Sequence, residues 1–291
     1  MKKLTALLLG AAMAFSLAAC SGTDSSSSES TAPESSSAAE DTSSEASSEE
    51  ASSTASAETA SYDVETVEDG VLTMSTNAAF PPYEMTTDDD SFEGIDVEMA
   101  AEIANRLGLE LDIKDVDFDY ALQMVQIGTS DIAMAGITIT EDRLTNMDFS
   151  DTYANGVQVI IVPEDSDIAG PEDLAGKLIG VQRGTTGEMF CLDEFGEDSV
   201  DPNPNGMSAV MKLINGQVDA VVIDNAPAQE LVAANADQGL KILDTAYADE
   251  DYAIAVQKGN TQLLDAINSI LAEMEADGTT QAIVDKYINA G

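Results

Sequence analysis

The stretch "ALQMVQIGTSDIAMAG", residues 121–136, changes its pattern halfway along. Apolar residues at helical spacing lead to Gly128, and after Asp131 a nearly unbroken apolar run continues to Ile137. This reads as a helix over 120–128, a glycine stop and a buried strand over 131–137. A second stretch, "AVMKLINGQVDAVVID" (209–224), aligns with it without a gap. Ala121 meets Ala209, Gly128 meets Gly216 and Asp131 meets Asp219. Two readings stay open. Any helix–turn–strand unit in an Ala/Val-rich chain looks like this, or the chain holds two similar α/β lobes. In the second case Gly136 and Asp224 are matching strand ends, where open α/β sheets bind ligands.

Outward from these blocks the alternation continues. Strands are expected at 71–76, 109–116, 157–162, 178–182, 219–223 and 240–243. Helices are expected at 94–108, 186–194, 207–215, 226–235, 261–276 and 279–288. Strands alternating with helices predict an α/β architecture with mostly parallel pairing. "FPPY" (80–83) breaks the first strand.

The N-terminal region is different. Met1-Lys2-Lys3 is a charged start, Leu4 to Leu17 is mostly apolar, and "LAAC" ends at Cys20. This is the layout of a secretory signal, with an ordinary signal or a short membrane helix as the alternatives. The ending resembles the bacterial lipobox, which implies cleavage after residue 19 and a diacylglyceryl group on Cys20. The next 41 residues, to Ser61, hold 17 serines, nine acids and no base. Such a segment cannot offset its ordering entropy and reads as a tether spanning roughly 35 Å.

All 55 acids lie beyond Cys20, while two of the eleven bases lie in the first three residues. That balance argues against nucleic acid, whose phosphates demand a basic face. The only other cysteine is Cys191, and there is no histidine. No Ser-His or Cys-His nucleophile can be built, and no metal or cofactor is expected.

Against this scarcity of cations, Arg143 in "GITITEDR" (136–143) falls in the first turn of a helix that Thr140 could cap. A cation is disfavoured there. It either pairs with Glu141 or Asp142 on the surface, or meets an anion together with backbone N–H groups and a Thr hydroxyl. "GTTGEMF" (184–190) is another helix start with exposed donors. Two uncharged helix starts and one arginine fit a carboxylate better than a triphosphate. Asp224 ends a strand and either caps the next helix or faces an ammonium group. Phe80 and Phe118, placed in loops after strands, belong to the core or wall a ligand.

"STNAAFPPYE", "GIDVEMAAEIANRLG", "SDIAMAGITITEDR", "MDFSDTY", "VQRGTTGEMF", "NGQVDAVVIDN", "YAIAVQKGN" and "MEADGTTQAIVDKY" occur in this order. Together, across 70–288, they resemble the extracytoplasmic solute-binding proteins (family 3 type) of polar amino acid ABC transporters, in lipoprotein form. The resemblance implies a type II periplasmic-binding-protein-like fold, with two lobes of mostly parallel sheet flanked by helices and two hinge strands. The lobes would be 62–153 plus 252–291, and 154–251. It implies that Arg143 clamps the ligand α-carboxylate, with Thr138 and Thr186 as further donors. Asp224, the Gly136 carbonyl and Thr138 would hold the α-ammonium. Phe80 and Phe118 would pack on the ligand side chain. Asn77, Ala135, Gln182 and Gly187 match positions that read that side chain; none is charged, which points to an uncharged polar L-amino acid. The implied protein is a monomer on the outer face of a bacterial membrane, held through Cys20 and delivering to ABC permease subunits. An enzyme on the same fold (dehydratase-like) and a ligand-sensing module are the alternatives.

Overall fold

The computed structural model describes residues 62–244 and 246–288. The expected signal (1–19), the Cys20 anchor and the tether (20–61) lie outside the described residues. In chain order the elements are β1 Val71–Thr76, β2 Ala79–Phe80, β3 Glu84–Thr86, β4 Phe92–Glu93, α1 Ile95–Leu107, β5 Glu110–Asp115 and α2 Phe118–Gln126. Then come β6 Ile132–Ala133, α3 Glu141–Asn146, β7 Met147–Pro163, β8 Ile179–Gln182, α4 Thr186–Phe195, β9 Val200–Asn203 and α5 Gly206–Ile214. The chain finishes with β10 Ala220–Asp224, α6 Asn225–Ala234, β11 Leu240–Ile242, β12 Ala248–Gln257, α7 Thr261–Asp277 and α8 Thr279–Ile288.

The main sheet runs β5-β1-β6-β12-β7-β10-β8-β9, with β11 beside β7. At one end β5, β1 and β6 are parallel; at the other β10, β8 and β9 are parallel. Between them β7 and β12 pair antiparallel from Met147 with Gln257 to Gln158 with Ala248. The far part of β7 continues alone into pairing with β10 and β11. Two strands thus carry both halves of the sheet, and the expected lobe boundaries fall inside them, where Tyr252 faces Ala154.

The two sequence blocks form the same unit. After α2, Gly128 turns the chain at φ 70°; after α5, Gly216 does so at φ 65°. The Gly128 N–H donates to Val125 and that of Gly216 to Leu213. Asp131 then accepts the Thr73 N–H at 2.8 Å, and Asp219 accepts the Leu178 N–H at 2.8 Å. In each case the aspartate ties its own strand to the parallel neighbour, β6 to β1 and β10 to β8. The repeat is therefore structural, and its buried strand faces explain the apolar runs.

Most expected elements appear within two residues. Several expectations change: the strand expected at 157–162 runs from Met147 to Pro163, and β9 and β12 were not expected. The strand over 131–137 shortens to Ile132–Ala133, because Gly136 turns at φ 55° and its N–H leaves the ladder for Asp96. Phe80 lies in β2 and Phe118 opens α2, so neither is in a loop. The small sheet β2-β3-β4 was not foreseen, since strands of two or three residues carry no period.

Packing around the glycines separates two costs. An alanine at Gly216 would meet nothing within 4 Å, whereas at Gly94 its Cβ would lie 2.1 Å from the Tyr83 carbonyl oxygen at φ 131°. Gly216→Ala is expected to lower stability by about 1 kcal/mol, the cost of a left-handed residue. Gly94→Ala is expected to cost clearly more. Urea unfolding measures both, and equal midpoints would contradict the packing account.

Candidate functional site

Thr140 stands at the N-cap of α3 and accepts the Arg143 N–H at 3.2 Å, as its sequence position suggests. The Arg143 side chain then turns inward and is 5% exposed. Its guanidinium donates to the Thr138 carbonyl at 2.7 Å and the Gly184 carbonyl at 3.0 Å. It lies 5.4 Å over the Phe118 ring. Its buried Nε has no partner. Glu141 and Asp142 are exposed, and among the described residues no ion pair includes Arg143. Burial lowers its pKa to about 10, opposed by the charges of Glu250, Asp224 and Asp142. The surface-pair alternative is excluded, and what remains is a buried cation held by two carbonyls and an aromatic face.

Arg143 lines a narrow cleft with Phe80, Phe118, Gly136, Thr138, Gln182, Thr186 and Asp224. All are residues singled out by the sequence. Asn77 is not in the lining; it stands behind it, accepting Gln182 Nε2 at 3.1 Å and donating to the Val116 carbonyl. Of the other two side-chain-reading positions, Ala135 lines the cleft and Gly187 does not. Arg183 points to solvent. Thr185 caps α4, accepting the Glu188 N–H, and Thr186, the first residue of the helix, lines the cleft.

Asp224 is the N-cap residue of α6 but makes no side-chain capping bond. Its carboxylate instead accepts from the Tyr252 hydroxyl and from Gln158 Nε2, the latter at 2.8 Å. Burial, and then the neighbouring Glu250 charge, push its pKa well up. The capping alternative for Asp224 is thus excluded.

Two lining acids were missed by the sequence reading, Glu84 and Glu250. Glu250 hides in the acidic run "ADED" (248–251), which looks like a solvated face. The available signal was strand period. In β12 Asp249 and Asp251 are exposed while Glu250 and Tyr252 are buried, as alternation requires. Glu84 is fully buried and meets no N–H or hydroxyl donor. Burial and the adjacent Asp96 carboxyl push its pKa well up. Asp96, which accepts from Tyr153 and from the Gly136 N–H, is raised to about 6, again by burial first.

The profile of bacterial extracellular solute-binding proteins, family 3, matches residues 72–290. The chain is 30% identical over 225 residues to the L-cystine-binding protein TcyJ of Escherichia coli (strain K12), covering 77% of this chain and 84% of that one. It is 31% identical over 220 residues to the arginine-binding extracellular protein ArtP of Bacillus subtilis (strain 168), covering 74% and 85%. Among solved structures, an ancestral arginine-binding protein bound to glutamine superposes with a TM-score of 0.73 at 40% identity, covering 76% of this chain and 99% of that one.

The raised acids have a consequence for stability. Asp96, Glu84 and Asp224 hold protons more tightly folded than unfolded. Their contribution is present below the ordinary carboxylate range and is lost as pH rises through the raised values. Asp277, lowered to about 2 by its bonds to Thr279 and Arg106, acts only in more acid solution. The thermal midpoint is expected to be higher near pH 5 than near pH 7.5, and Glu84→Gln to flatten that dependence. A midpoint that falls between about pH 7.5 and 5 would contradict these assignments.

Proposed function

From membership of the bacterial extracellular solute-binding proteins, family 3, to which this chain belongs, we propose that it captures one polar L-amino acid between its two lobes and delivers it to the permease subunits of an ABC importer. The observation that carries this reading is the buried guanidinium of Arg143 facing, across one small cleft, the buried acid Asp224. A zwitterion is the ligand such a pair fits, because both of its charges must be matched when it leaves water. Arg143, with Thr138 and the start of α4 at Thr186, takes the α-carboxylate. Asp224, the Gly136 carbonyl and Thr138 take the α-ammonium. Phe80 and Phe118 flank the side chain, and Gln182, positioned by Asn77, reads its end.

The lobes, 62–153 with 252–291 and 154–251, meet through contacts that a ligand would reinforce. Arg143 reaches the Gly184 carbonyl and Gln182 reaches Asn77, each pair drawing on both lobes. A ligand touching Arg143 and Asp224 therefore favours closure about β7 and β12. The cystine, arginine and glutamine named for the relatives are all α-amino acids and agree with this. The reading is of binding without chemical conversion. The chain has no histidine to act as base, and burial pushes the Cys191 thiol up to about 12. The protein acts as a monomer, anchored to the outer face of the membrane by two acyl chains on Cys20, which hold where one chain is marginal.

Thermal shift of the full chain against the twenty amino acids tests this. A ligand at 100 times its dissociation constant stabilises by about 2.7 kcal/mol; no shift with any of them would sink the reading. Arg143→Ala is expected to weaken binding by roughly 2–5 kcal/mol while the protein stays folded. Asp224→Asn is expected to weaken it too, and unchanged affinity in either variant removes that residue from the site. Cys20→Ala is expected to move the protein from the membrane to the soluble fraction in cell fractionation; unchanged partition would overturn the anchor.

A further inference from the structure

The acid assigned to the ligand ammonium is itself held from the linking strands. Asp224 ends β10, and its carboxylate accepts the Tyr252 hydroxyl at Oδ1 and Gln158 Nε2 at Oδ2, the latter at 2.8 Å. Tyr252 comes from β12 and Gln158 from β7. Gln158 divides its amide, since the same Nε2 also donates to Glu250 Oε2 at 3.2 Å. The Tyr252 hydroxyl is not divided in this way.

The surroundings of Tyr252 fix it from both halves. It is fully buried and does not line the cleft. Its main chain bridges Thr138, and the next N–H, that of Ala253, donates to the Ile137 carbonyl at 3.0 Å. Its ring stands edge-on to Tyr83, with centroids 5.2 Å apart and planes at 79°. Its hydroxyl lies over Gly156 of β7, where an added Cβ would overlap both that oxygen and Cζ. One residue is thereby tied to Thr138 by its main chain and to Asp224 by its side chain, two positions that face each other across the cleft.

A donor to a carboxylate favours its charged form. Burial and Glu250 of β12 raise the proton affinity of Asp224, while the Tyr252 and Gln158 donors lower it. The Asp224 charge is also felt by Arg143 of α3, by Tyr83 and by Glu84 of β3. An ammonium gains a charge partner at Asp224 only while that acid is a carboxylate. We propose that Tyr252 is a positioning residue for ligand capture, whose hydroxyl, seated over Gly156, holds the Asp224 carboxylate for the ligand ammonium. This rests on the amino acid reading above. Tyr252 acts through Asp224 and does not itself touch the ligand.

Titration calorimetry on the full chain tests this, with the one amino acid of the twenty that gives the largest thermal shift. Tyr252→Phe keeps the ring against Tyr83 and removes only the hydroxyl. It is expected to weaken binding about tenfold at about pH 7, with circular dichroism reporting that the variant is folded. In the parent, affinity falls toward acid as Asp224 takes up a proton; in Tyr252→Phe that fall is expected to begin about one pH unit higher. Gly156→Ala, which displaces the hydroxyl, is expected to weaken binding as well, and the double variant to bind no more weakly than the worse single one. Unchanged affinity in Tyr252→Phe, or a loss that is equal at every pH from about 5 to 8, overturns the proposal while the amino acid reading stands. Failure of all twenty amino acids to bind takes both readings down together.

Discussion

A guanidinium can leave water only where something replaces its solvation. At Arg143 the replacements are two carbonyls and the face of Phe118, and no carboxylate is among them. One carbonyl, of Thr138, is local; the other, of Gly184, comes from the opposite half of the sheet. The burial of this one cation therefore requires the two halves to meet. It also leaves the buried charge without an ion pair among the described residues, favoured only by the nearby charges of Glu250, Asp224 and Asp142.

The backbone makes that meeting possible. Because β7 and β12 run through both halves, the loop after β6 and the end of β10 meet at one cleft, as parallel strand ends in open sheets do. The repeat explains why the site is two-sided. Each half contributes a buried strand tied by an aspartate, and cleft residues lie at or just beyond its end: Gly136 and Thr138 from one half, Asp224 from the other. Two paired strands, β7 and β12, join these faces.

The acids show the same logic in the opposite sign. The chain carries 55 acids, and most of those described lie on the surface, where water solvates them. Glu84, Asp96, Asp224 and Glu250 do not. They gather where Tyr153 and Tyr252 of the linking strands donate to Asp96 and Asp224. The cleft thus sets buried acids opposite the Arg143 guanidinium. The linking strands bring these tyrosines and Glu250 to the buried acids.

Sequence alone determined the elements whose period is unambiguous, such as α1 between Gly94 and Gly108, and the paired blocks around Gly128 and Gly216. It also marked Arg143, because a cation in the first turn after Thr140 contradicts local electrostatics. Asp224 and the Thr185–Thr186 helix start were visible as local chemistry whose partners were unknown. What only the tertiary structure decided was which polar residues are removed from water. Glu250 reads as one acid in an exposed run, and Glu84 as one more after a proline pair. Their burial follows from where β12 and β3 pack, which no local window encodes. Strands β7 and β12 were likewise longer than their apolar cores suggest, because the segments that join the halves are polar and half exposed. Local propensity sets the elements; the sign and balance of charge inside the cleft come from residues distant in sequence that only packing brings together.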